Sequence, residues 1–246
     1  MFDVMTDWQA RLAGEAPFLR ATLAEAGARS VLDAACGSGG HALALAGWGF
    51  AASGADPSPV MIELARQKTR AAGLEIPFAV AGFTELATHL PGPFDAVLCL
   101  GNSLPHLLTQ EELVAGLRGM AAVLRAGGFL VTQNLNYDLR WRKQPRWFAA
   151  QGGELDGAEV VVWRFADYLP EEGRIAFHVA LFRKGASGWQ VEVHATPHRP
   201  LFATDLLAGL VDAGFVAPRA YSRLALPAEQ FDPAQSGDCV IVARKA

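Results

Sequence analysis

The segment V-L-D-A-A-C-G-S-G-G, residues Val31 to Gly40, predicts a buried strand that turns through glycines into a helix. Its first two residues are apolar and lead to an aspartate, which is typical of a short strand in a sheet interior. The apolar run from Ala42 to Ala46 then has helical spacing. A glycine turn at a helix start lets a ligand approach bare backbone and free N–H groups, so a ligand-binding site is expected here.

Two ligands fit this turn, and two acidic residues distinguish between them. Gly37–Ala42 matches the dinucleotide fingerprint G-x-G-x-x-A, which favours NAD. Asp33 stands at the tip of the first strand, and Asp56 follows the next predicted strand, Phe50–Ala55, where it can accept hydrogen bonds from ribose hydroxyls. A carboxylate before the glycines repels a doubly negative pyrophosphate but attracts an ammonium or a sulfonium group. The pattern therefore favours S-adenosylmethionine (SAM) over NAD.

The same turn, taken with Asp56, resembles motif I of the class I SAM-dependent methyltransferases, and the resemblance covers most of the chain. It implies an α/β fold with a Rossmann-like, mostly parallel seven-stranded sheet, helices on both faces and an antiparallel last strand. It also implies SAM as the cofactor and S-adenosylhomocysteine (SAH) as the product. Two alternatives to this enzyme are an NAD-dependent oxidoreductase and a SAM-binding module without catalysis.

Composition and charge narrow the class of protein. With 246 residues, of which 51% are hydrophobic and 19% charged, the chain can form a sizeable core. A formal net charge of −4 gives no general attraction to nucleic acid or to anionic membranes. The three cysteines lack metal-ligand spacing, so we expect buried reduced thiols and no metal site. Neither an export signal nor a membrane-spanning run is evident, which predicts a cytoplasmic protein.

Strands and helices alternate along the first half of the chain, which predicts right-handed βαβ units and a parallel sheet covered on both faces. The predicted helices are Ala16–Ala26, one that starts at Pro57, and one that opens at the capping box Thr109–Glu112 and ends at Gly127-Gly128. The later parallel strands are predicted at Phe78–Ala81, Phe94–Leu100 and Phe129–Gln133. Residues 1–14, which include Phe2, Trp8 and Arg11, are too apolar for a disordered tail, so we expect this segment to pack over another part of the molecule.

The alternation stops after Asn136. Residues 138–198 contain three strand-like runs separated by turns, which predicts an inserted antiparallel β lobe. These runs are Glu159–Tyr168, Arg174–Arg183 and Trp189–Ala195. The SAM-binding domain is then expected to comprise residues 1–137 and 199–246. Its last elements are predicted to be a helix capped by Thr204 and two strands at about Arg219–Leu226 and Asp238–Arg244.

The residues expected to bind SAM cluster where predicted strands end, because ligands of open parallel sheets bind at the carboxyl ends of the strands. Phe83 is a candidate to stack on adenine, and only backbone is available beside it at Gly82. Arg11 is a candidate for the SAM carboxylate. The full set of predicted SAM-binding residues is Arg11, Asp33, Ala35, Gly37, Ser38, Gly39, Asp56, Pro57, Met61, Gly82, Phe83, Leu100, Gly101 and Asn102.

The segment Leu100–Leu107, L-G-N-S-L-P-H-L, resembles the corresponding stretch of the glycine and sarcosine N-methyltransferases. Two shorter segments share the resemblance, Asn136-Tyr137-Asp138 and Pro197-His198. It implies that His106 lines the methyl-transfer pocket, and Tyr137 is a second catalytic candidate. It also implies that the lobe caps a small-molecule amine acceptor. The chain departs from that family at Leu135, where the family has an arginine for the substrate carboxylate, so glycine itself is not expected to be the acceptor.

The segment Arg140–Trp147 mixes cations with aromatic side chains and has three interpretations. The favoured one is a mobile lid with a solvated basic face. A flap that binds RNA by stacking and phosphate contacts would make the protein an RNA methyltransferase instead. A third is a clamp for an acidic small substrate. Nothing in the sequence indicates an oligomeric state.

Overall fold

The structure, a computed structural model, describes residues 2–246 apart from the side chains of Phe2 and Asp3. The helices are α1 (Trp8–Glu25), α2 (Gly40–Gly47), α3 (Pro59–Ala71), α4 (Leu86–His89), α5 (Gln110–Val123), α6 (Tyr137–Lys143) and α7 (Ala203–Asp212). The strands are β1 (Ser30–Asp33), β2 (Ala51–Asp56), β3 (Phe78–Val80), β4 (Phe94–Cys99), β5 (Leu124–Leu135), β6 (Gln151–Leu155), β7 (Ala158–Leu169), β8 (Arg174–Gly185), β9 (Gly188–His198), β10 (Phe215–Tyr221) and β11 (Asp238–Lys245).

Seven of the strands form one sheet in the order β10-β11-β5-β4-β1-β2-β3, and β6 to β9 form a separate sheet. Strands β1 to β5 run parallel to one another. The last strand, β11, runs antiparallel to both of its neighbours, β5 and β10. The small sheet is antiparallel throughout. The predicted fold class, a mostly parallel seven-stranded sheet with an additional antiparallel sheet, is confirmed.

Helices bury both faces of the large sheet, as parallel strands with helical crossovers require. Val31 of β1 belongs to the same buried cluster as Leu45 of α2 and Ile62 of α3. Its neighbour Leu32 belongs to the cluster of the opposite face, with Leu117 of α5. Within the described chain, none of these helices is long and apolar enough to cross a membrane.

Helix α1 begins at Trp8 and not at the predicted Ala16. Asp7 caps it, because the Asp7 carboxylate accepts a hydrogen bond from the Ala10 N–H at 3.0 Å. The first turns were not predicted because buried positions begin only at Phe18. These turns lie against the glycine turn, which confirms that the N-terminal segment packs over another part of the molecule.

The predicted end of α5 at Gly127-Gly128 is wrong, because the helix ends earlier and both glycines lie inside β5. Gly127 has a positive φ of 72°. A β carbon at Gly128 would lie 3.0 Å from the Asp95 carbonyl oxygen. The glycines therefore permit an irregularity where the register between β4 and β5 shifts. The capping box at the start of this helix is confirmed, since the Thr109 hydroxyl accepts from the Glu112 N–H at 3.1 Å.

The small sheet has four strands, one more than predicted. The additional strand, β6, contains Gly152-Gly153, which favours a turn when the sequence is considered alone. Its antiparallel pairing with β7 overrides that local preference. The other three strands confirm the predicted runs and extend them by a few residues. The division of the chain into two domains stays a prediction.

Two further elements near the small sheet differ from the prediction. The residues after Asn136 form α6, and the Asn136 side chain caps it by accepting from the Leu139 N–H at 3.2 Å. Helix α7 begins at Ala203 and is not capped by Thr204. The Asp138 carboxylate takes that role, since it accepts from the Ala203 N–H at 3.0 Å.

Strand β10 lies earlier in the chain than the predicted range Arg219–Leu226. A register shift between Val216 and Arg219 interrupts the period-two pattern that marks a strand. The strand ends at Tyr221 because the next residue, Ser222, pairs through its N–H with the Glu229 carbonyl of the following loop.

Candidate active site

A cavity of about 430 Å³ opens beyond the carboxyl ends of β1, β2 and β4. The strand order reverses there, because β1 lies between β2 and β4. This is the position at which ligands bind in open α/β sheets. The cavity is lined by Trp8, Arg11, Ala34, Ala35, Cys36, Gly37, His41, Asp56, Pro57, Met61, Gly82, Phe83, Leu100, Gly101, Asn102, Ser103 and His106.

Asp56 ends β2 and is held at the cavity wall by two backbone N–H groups. Its Oδ2 accepts from the Gly37 N–H at 3.0 Å, and its Oδ1 accepts from the Ser58 N–H at 2.9 Å. The carboxylate oxygens have further lone pairs that can accept from a ligand. Asp56 is therefore a fixed, charged acceptor suited to a pair of hydroxyls such as those of ribose.

Asp33 lies at the end of β1, behind the glycine turn, and is 1% exposed. Neither of its carboxylate oxygens has a hydrogen-bond partner of good geometry among the described residues, although the Ala35 backbone N–H is close enough to favour the ionised form. Burial raises the pKa of Asp33 to about 6, although the nearby His41 opposes the shift, so most of the group is ionised at neutral pH. Buried carboxylates are normally paired. This one suits a cationic ligand, and the ammonium and sulfonium groups of SAM fit that requirement.

The turn is poorly suited to a pyrophosphate, so the NAD interpretation is not favoured. Its Gly37 N–H already donates to Asp56 and is not available to a phosphate oxygen. Asp33 adds a second carboxylate close to the same turn, and the two together would repel a doubly negative group.

Arg11, Glu15 and His41 form a chain of charged contacts beside the glycine turn. The Arg11 Nε lies 2.9 Å from Glu15 Oε1, and the His41 Nε2 lies 2.7 Å from Glu15 Oε2. Burial alone would raise the pKa of Glu15, but the hydrogen bond and charge of His41, with those of Arg11, hold it below its usual value. The network fixes Arg11 at the cavity wall, where the sequence predicts a partner for the SAM carboxylate.

Trp8 covers the start of α2, and sequence analysis did not assign it to the site. A β carbon at Gly40 would overlap the Trp8 indole, so only glycine permits this packing. The indole also meets the His41 ring edge to face, with 5.1 Å between the ring centres. The apolar character of residues 1–14 predicted that this segment packs on another part of the molecule. No spacing rule, however, links Trp8 to a glycine turn about 30 residues further along the chain.

Phe83 lines the cavity beside Gly82. Helix α5 approaches its backbone closely, because a β carbon at Gly119 would overlap the Phe83 carbonyl. The Gly82 N–H already donates to Glu85 Oε2 at 2.9 Å, so this donor is used within the turn. An adenine ring bound beside Gly82 would therefore contact the Phe83 ring and Met61, and would not receive a hydrogen bond from the Gly82 N–H.

Asn102 joins the loop after β4 to β5 and α6. Both Gly101 and Asn102 have positive φ angles, 78° and 68°. The Asn102 amide accepts from the Leu135 N–H and donates to the Tyr137 hydroxyl, each at 3.0 Å. Tyr137 is 3% exposed and lies behind Asn102, outside the cavity lining. Burial raises the pKa of Tyr137 to about 12, so its hydroxyl keeps its proton at neutral pH.

His106 lines the cavity and contacts the small sheet. Its ring meets that of His198 edge to face, with 4.4 Å between the ring centres, and His198 stacks in turn on Phe177 at 5.1 Å. Burial lowers the pKa of His106, and it lowers that of His198 to about 3. Both imidazoles are therefore neutral at physiological pH. A backbone bond of 2.9 Å from the Arg199 N–H to the Pro105 carbonyl ties the same turn to the end of β9.

The structure brings most of the predicted site residues to one cavity. Those that line it are Arg11, Ala35, Gly37, Asp56, Pro57, Met61, Gly82, Phe83, Leu100, Gly101, Asn102 and His106. Those that do not are Asp33, Ser38, Gly39 and Tyr137. Ser38 is turned toward α3, where its hydroxyl accepts from Lys68 Nζ at 2.9 Å. Residues that line the cavity but were not predicted are Trp8, Ala34, Cys36, His41 and Ser103.

The segment Arg140–Trp147 packs against the small sheet. Arg146 pairs with Asp167 at 2.6 Å. The Trp147 indole stacks on that of Trp163, with 5.1 Å between the ring centres and 16° between the planes. These contacts engage one cation and one indole of the segment, although both side chains stay about half exposed.

Comparisons with known proteins agree with this geometry. Residues 31–128 match a family model described as a methyltransferase domain. The glycine/sarcosine N-methyltransferase of Parasynechococcus marenigrum (strain WH8102) is 39% identical over 137 residues, which cover 56% of this chain and 49% of that protein. The glycine N-methyltransferase of Homo sapiens is 34% identical over 145 residues, covering 54% and 49%. The chain thus spans about half the length of the curated relatives it matches.

Solved structures share the fold along the whole chain. The sugar N-methyltransferase KedS8 from Streptoalloteichus sp ATCC 53650 has a TM-score of 0.78 and 27% identity, and the match covers 100% of this chain and 92% of that one. An S-adenosylmethionine-dependent methyltransferase from Clostridium acetobutylicum ATCC 824 has the same TM-score of 0.78 at 15% identity, which shows a common fold. Residues 31–128 thus match a methyltransferase domain, and the fold and the glycine turn with its two carboxylates are similar to those of SAM-dependent methyltransferases.

Proposed function

We propose that the protein transfers the methyl group of SAM to an amine nitrogen of a small molecule. The observation that carries this proposal is the position of His106, whose ring lines the same cavity as Asp56 and the glycine turn. Burial lowers its pKa, so the imidazole is neutral; its free ring nitrogen can accept a proton from an amine, while the same burial makes it a weaker base than an exposed histidine. The relatives named above are N-methyltransferases of glycine, sarcosine and a sugar, which supports a nitrogen acceptor.

The residues around the cavity would have different roles in such a reaction. SAM supplies a methyl group on a positively charged sulfur, open to in-line displacement by a nucleophile. Asp56 and Arg11 would orient the ligand through hydroxyls and a carboxylate, and the buried Asp33 would balance its positive charge. His106 would take the proton of the acceptor ammonium group, which frees the nitrogen lone pair. Alignment of the two reactants and exclusion of water then contribute most of the acceleration.

Tyr137 is proposed as a positioning residue and not as the base. Its hydroxyl holds the Asn102 amide, which also fixes the Leu135 N–H. With a pKa of about 12, it does not release its proton at physiological pH. Its effect on turnover would therefore pass through the shape of the loop after β4.

The proposed acceptor is an amine without a carboxylate next to it. Leu135 stands where the glycine and sarcosine enzymes, by the sequence resemblance, have an arginine for that carboxylate. Arg11 lines the cavity but is paired with Glu15 at 2.9 Å. An amino sugar meets this requirement, and the whole-length similarity to a sugar N-methyltransferase supports it.

The lobe of residues 138–198 is proposed to close the acceptor side, while residues 1–137 and 199–246 bind SAM. The contact between His198 and His106 supports this division, because it joins the end of β9 to the cavity wall. The packing of Arg140–Trp147 on the small sheet supports a small-molecule acceptor over RNA.

The proposal is tested by measuring SAH formation from SAM with a panel of amino sugars, amino acids and RNA. We expect turnover with amines that lack an adjacent carboxylate and none with RNA. Binding of SAM without SAH formation across the panel would contradict methyl transfer and support a SAM-binding module. Turnover with RNA alone would contradict the acceptor class.

A further inference from the structure

The two edges of the small sheet are protected differently. At one edge, β6 spans 5 residues, and Val4 lies against its Gly153. At the other edge, β9 spans 11 residues, and no strand of the described chain pairs with its outer side. A long, uncovered edge strand is a template for pairing with another chain, which is why natural edge strands are usually short or shielded.

The side chains of β9 alternate like those of a strand with one buried face. Trp189, Val191 and Val193 share one face and are 49%, 54% and 52% exposed. Glu192 and His194 share the other face, with side chains 76% and 70% exposed. Such alternation is typical of a half-buried strand. A row of largely exposed apolar side chains marks an interaction surface; of the three, Trp189 has Lys184 Nζ over its ring, 5.8 Å from the ring centre.

We propose that β9 pairs with β9 of a second copy of this chain, antiparallel and centred on Val193. In that register, Glu192 of each copy lies opposite His194 of the other, so one two-fold axis forms two carboxylate–imidazole pairs. The apolar side chains meet on the opposite face, where Val193 faces its own counterpart and Val191 faces Ala195. The two small sheets would then form one continuous sheet of eight strands.

Pro197 limits the pairing in this register to the stretch from Val191 to Ala195, because it lies opposite Trp189 of the second copy and has no N–H to donate there. Proline occurs in a sheet only where its nitrogen does not face the ladder. Since Pro197 is opposite Ala176 of β8, its backbone groups must face the free edge. The backbone alternates, so Val193 and Ala195 also direct their N–H and C=O groups to that edge. They are then available to the second copy.

A second copy is favoured over an unrelated partner because β9 is complementary to itself. In a two-fold contact, if residue i of one copy contacts residue j of the other, then residue j of the first copy also contacts residue i of the second. Reversal of β9 about Val193 exchanges Glu192 with His194 and Gln190 with Thr196, so polar groups meet polar groups and apolar groups meet apolar groups.

The test is sedimentation equilibrium of the full-length chain and of charge variants. We expect the unsubstituted chain to be a dimer. Glu192→Lys places a cation opposite the imidazole, and His194→Glu places two carboxylates opposite each other, so each should raise the dimer Kd at least about tenfold. The double variant Glu192→Lys/His194→Glu exchanges the charges and should restore the dimer. Glu154→Lys, on the other edge strand, is the matched control and should change nothing.

Three results would overturn the proposal: a monomer at every concentration, a dimer that neither single variant weakens, or a double variant as weak as the single ones. Thermal melting and SAM calorimetry of each variant check that the exposed substitutions leave the fold and the cavity intact. Because the readout is mass, the outcome is independent of whether methyl transfer is observed.

Discussion

The two sides of the cavity are built in different ways. On the proposed cofactor side, Asp33 and Asp56 stand at the ends of adjacent strands, and Asp56 is held by nearby backbone N–H groups. On the proposed acceptor side, the His106 ring packs against His198, which stacks on Phe177; both belong to a separate sheet far along the chain. The cofactor side therefore depends on local turns, whereas the acceptor side depends on how the small sheet packs.

The largest expected effect is a fall in kcat, without a change in SAM affinity, when His106 is replaced. His106→Asn removes the proposed base, so kcat for the amine substrate should fall by roughly 100-fold or more, as general-base removal usually does. The Kd for SAM should stay within about twofold, because the cofactor side does not depend on this ring. Steady-state kinetics and calorimetry check the two values. A weakened SAM Kd with unchanged kcat would show that the two sides are not separable.

The next largest effect is a loss of SAM affinity when Asp56 is replaced. Asp56→Ala removes a charged acceptor and leaves the Gly37 N–H without its partner, which should cost about 2–3 kcal/mol of SAM binding. That corresponds to a Kd roughly 30- to 150-fold weaker in calorimetry. Asp156→Ala is the control, because Asp156 is 81% exposed in the small sheet's loop and should leave SAM binding unchanged. Equal loss in both variants would contradict the assignment.

The buried carboxylate predicts a pH dependence. Because the pKa of Asp33 is about 6 in the folded protein, the carboxylate is charged at pH 7 and protonated as the pH falls through 6. Its attraction for a cationic ligand is lost in that range, so the SAM Kd should weaken about tenfold between pH 7 and pH 5. Asp33→Asn should bind SAM weakly at both pH values. A pH-independent Kd in the unsubstituted protein would remove Asp33 from recognition.

The last prediction concerns stability and tests the packing that joins the N-terminal helix to the glycine turn. Gly40→Ala introduces a methyl group into the space of the Trp8 indole and should destabilise the fold by about 1–3 kcal/mol. The same substitution in a Trp8→Ala background should cost much less. A double-mutant cycle of thermal melting measures the difference. An equal cost in both backgrounds would show that Trp8 does not constrain this glycine.

Much of the proposed cofactor side could be located from sequence, because the glycine turn, Asp33 and Asp56 follow spacing rules that backbone geometry imposes; their role in binding stays a prediction. The acceptor side was predictable only in part. His106 was indicated by resemblance, but its neutral environment depends on His198 and Phe177, and no periodicity links these residues. Trp8 was missed for the same reason, since its contact with Gly40 bridges two elements that the sequence separates.

The central claim is that the two carboxylates select a cationic adenosyl ligand over a pyrophosphate. The most direct measurement is calorimetric titration of the full chain with SAM, SAH and NAD under the same conditions at pH 7. We predict saturable binding of SAM and SAH and no measurable binding of NAD. Binding of NAD as tight as that of SAM would contradict the account.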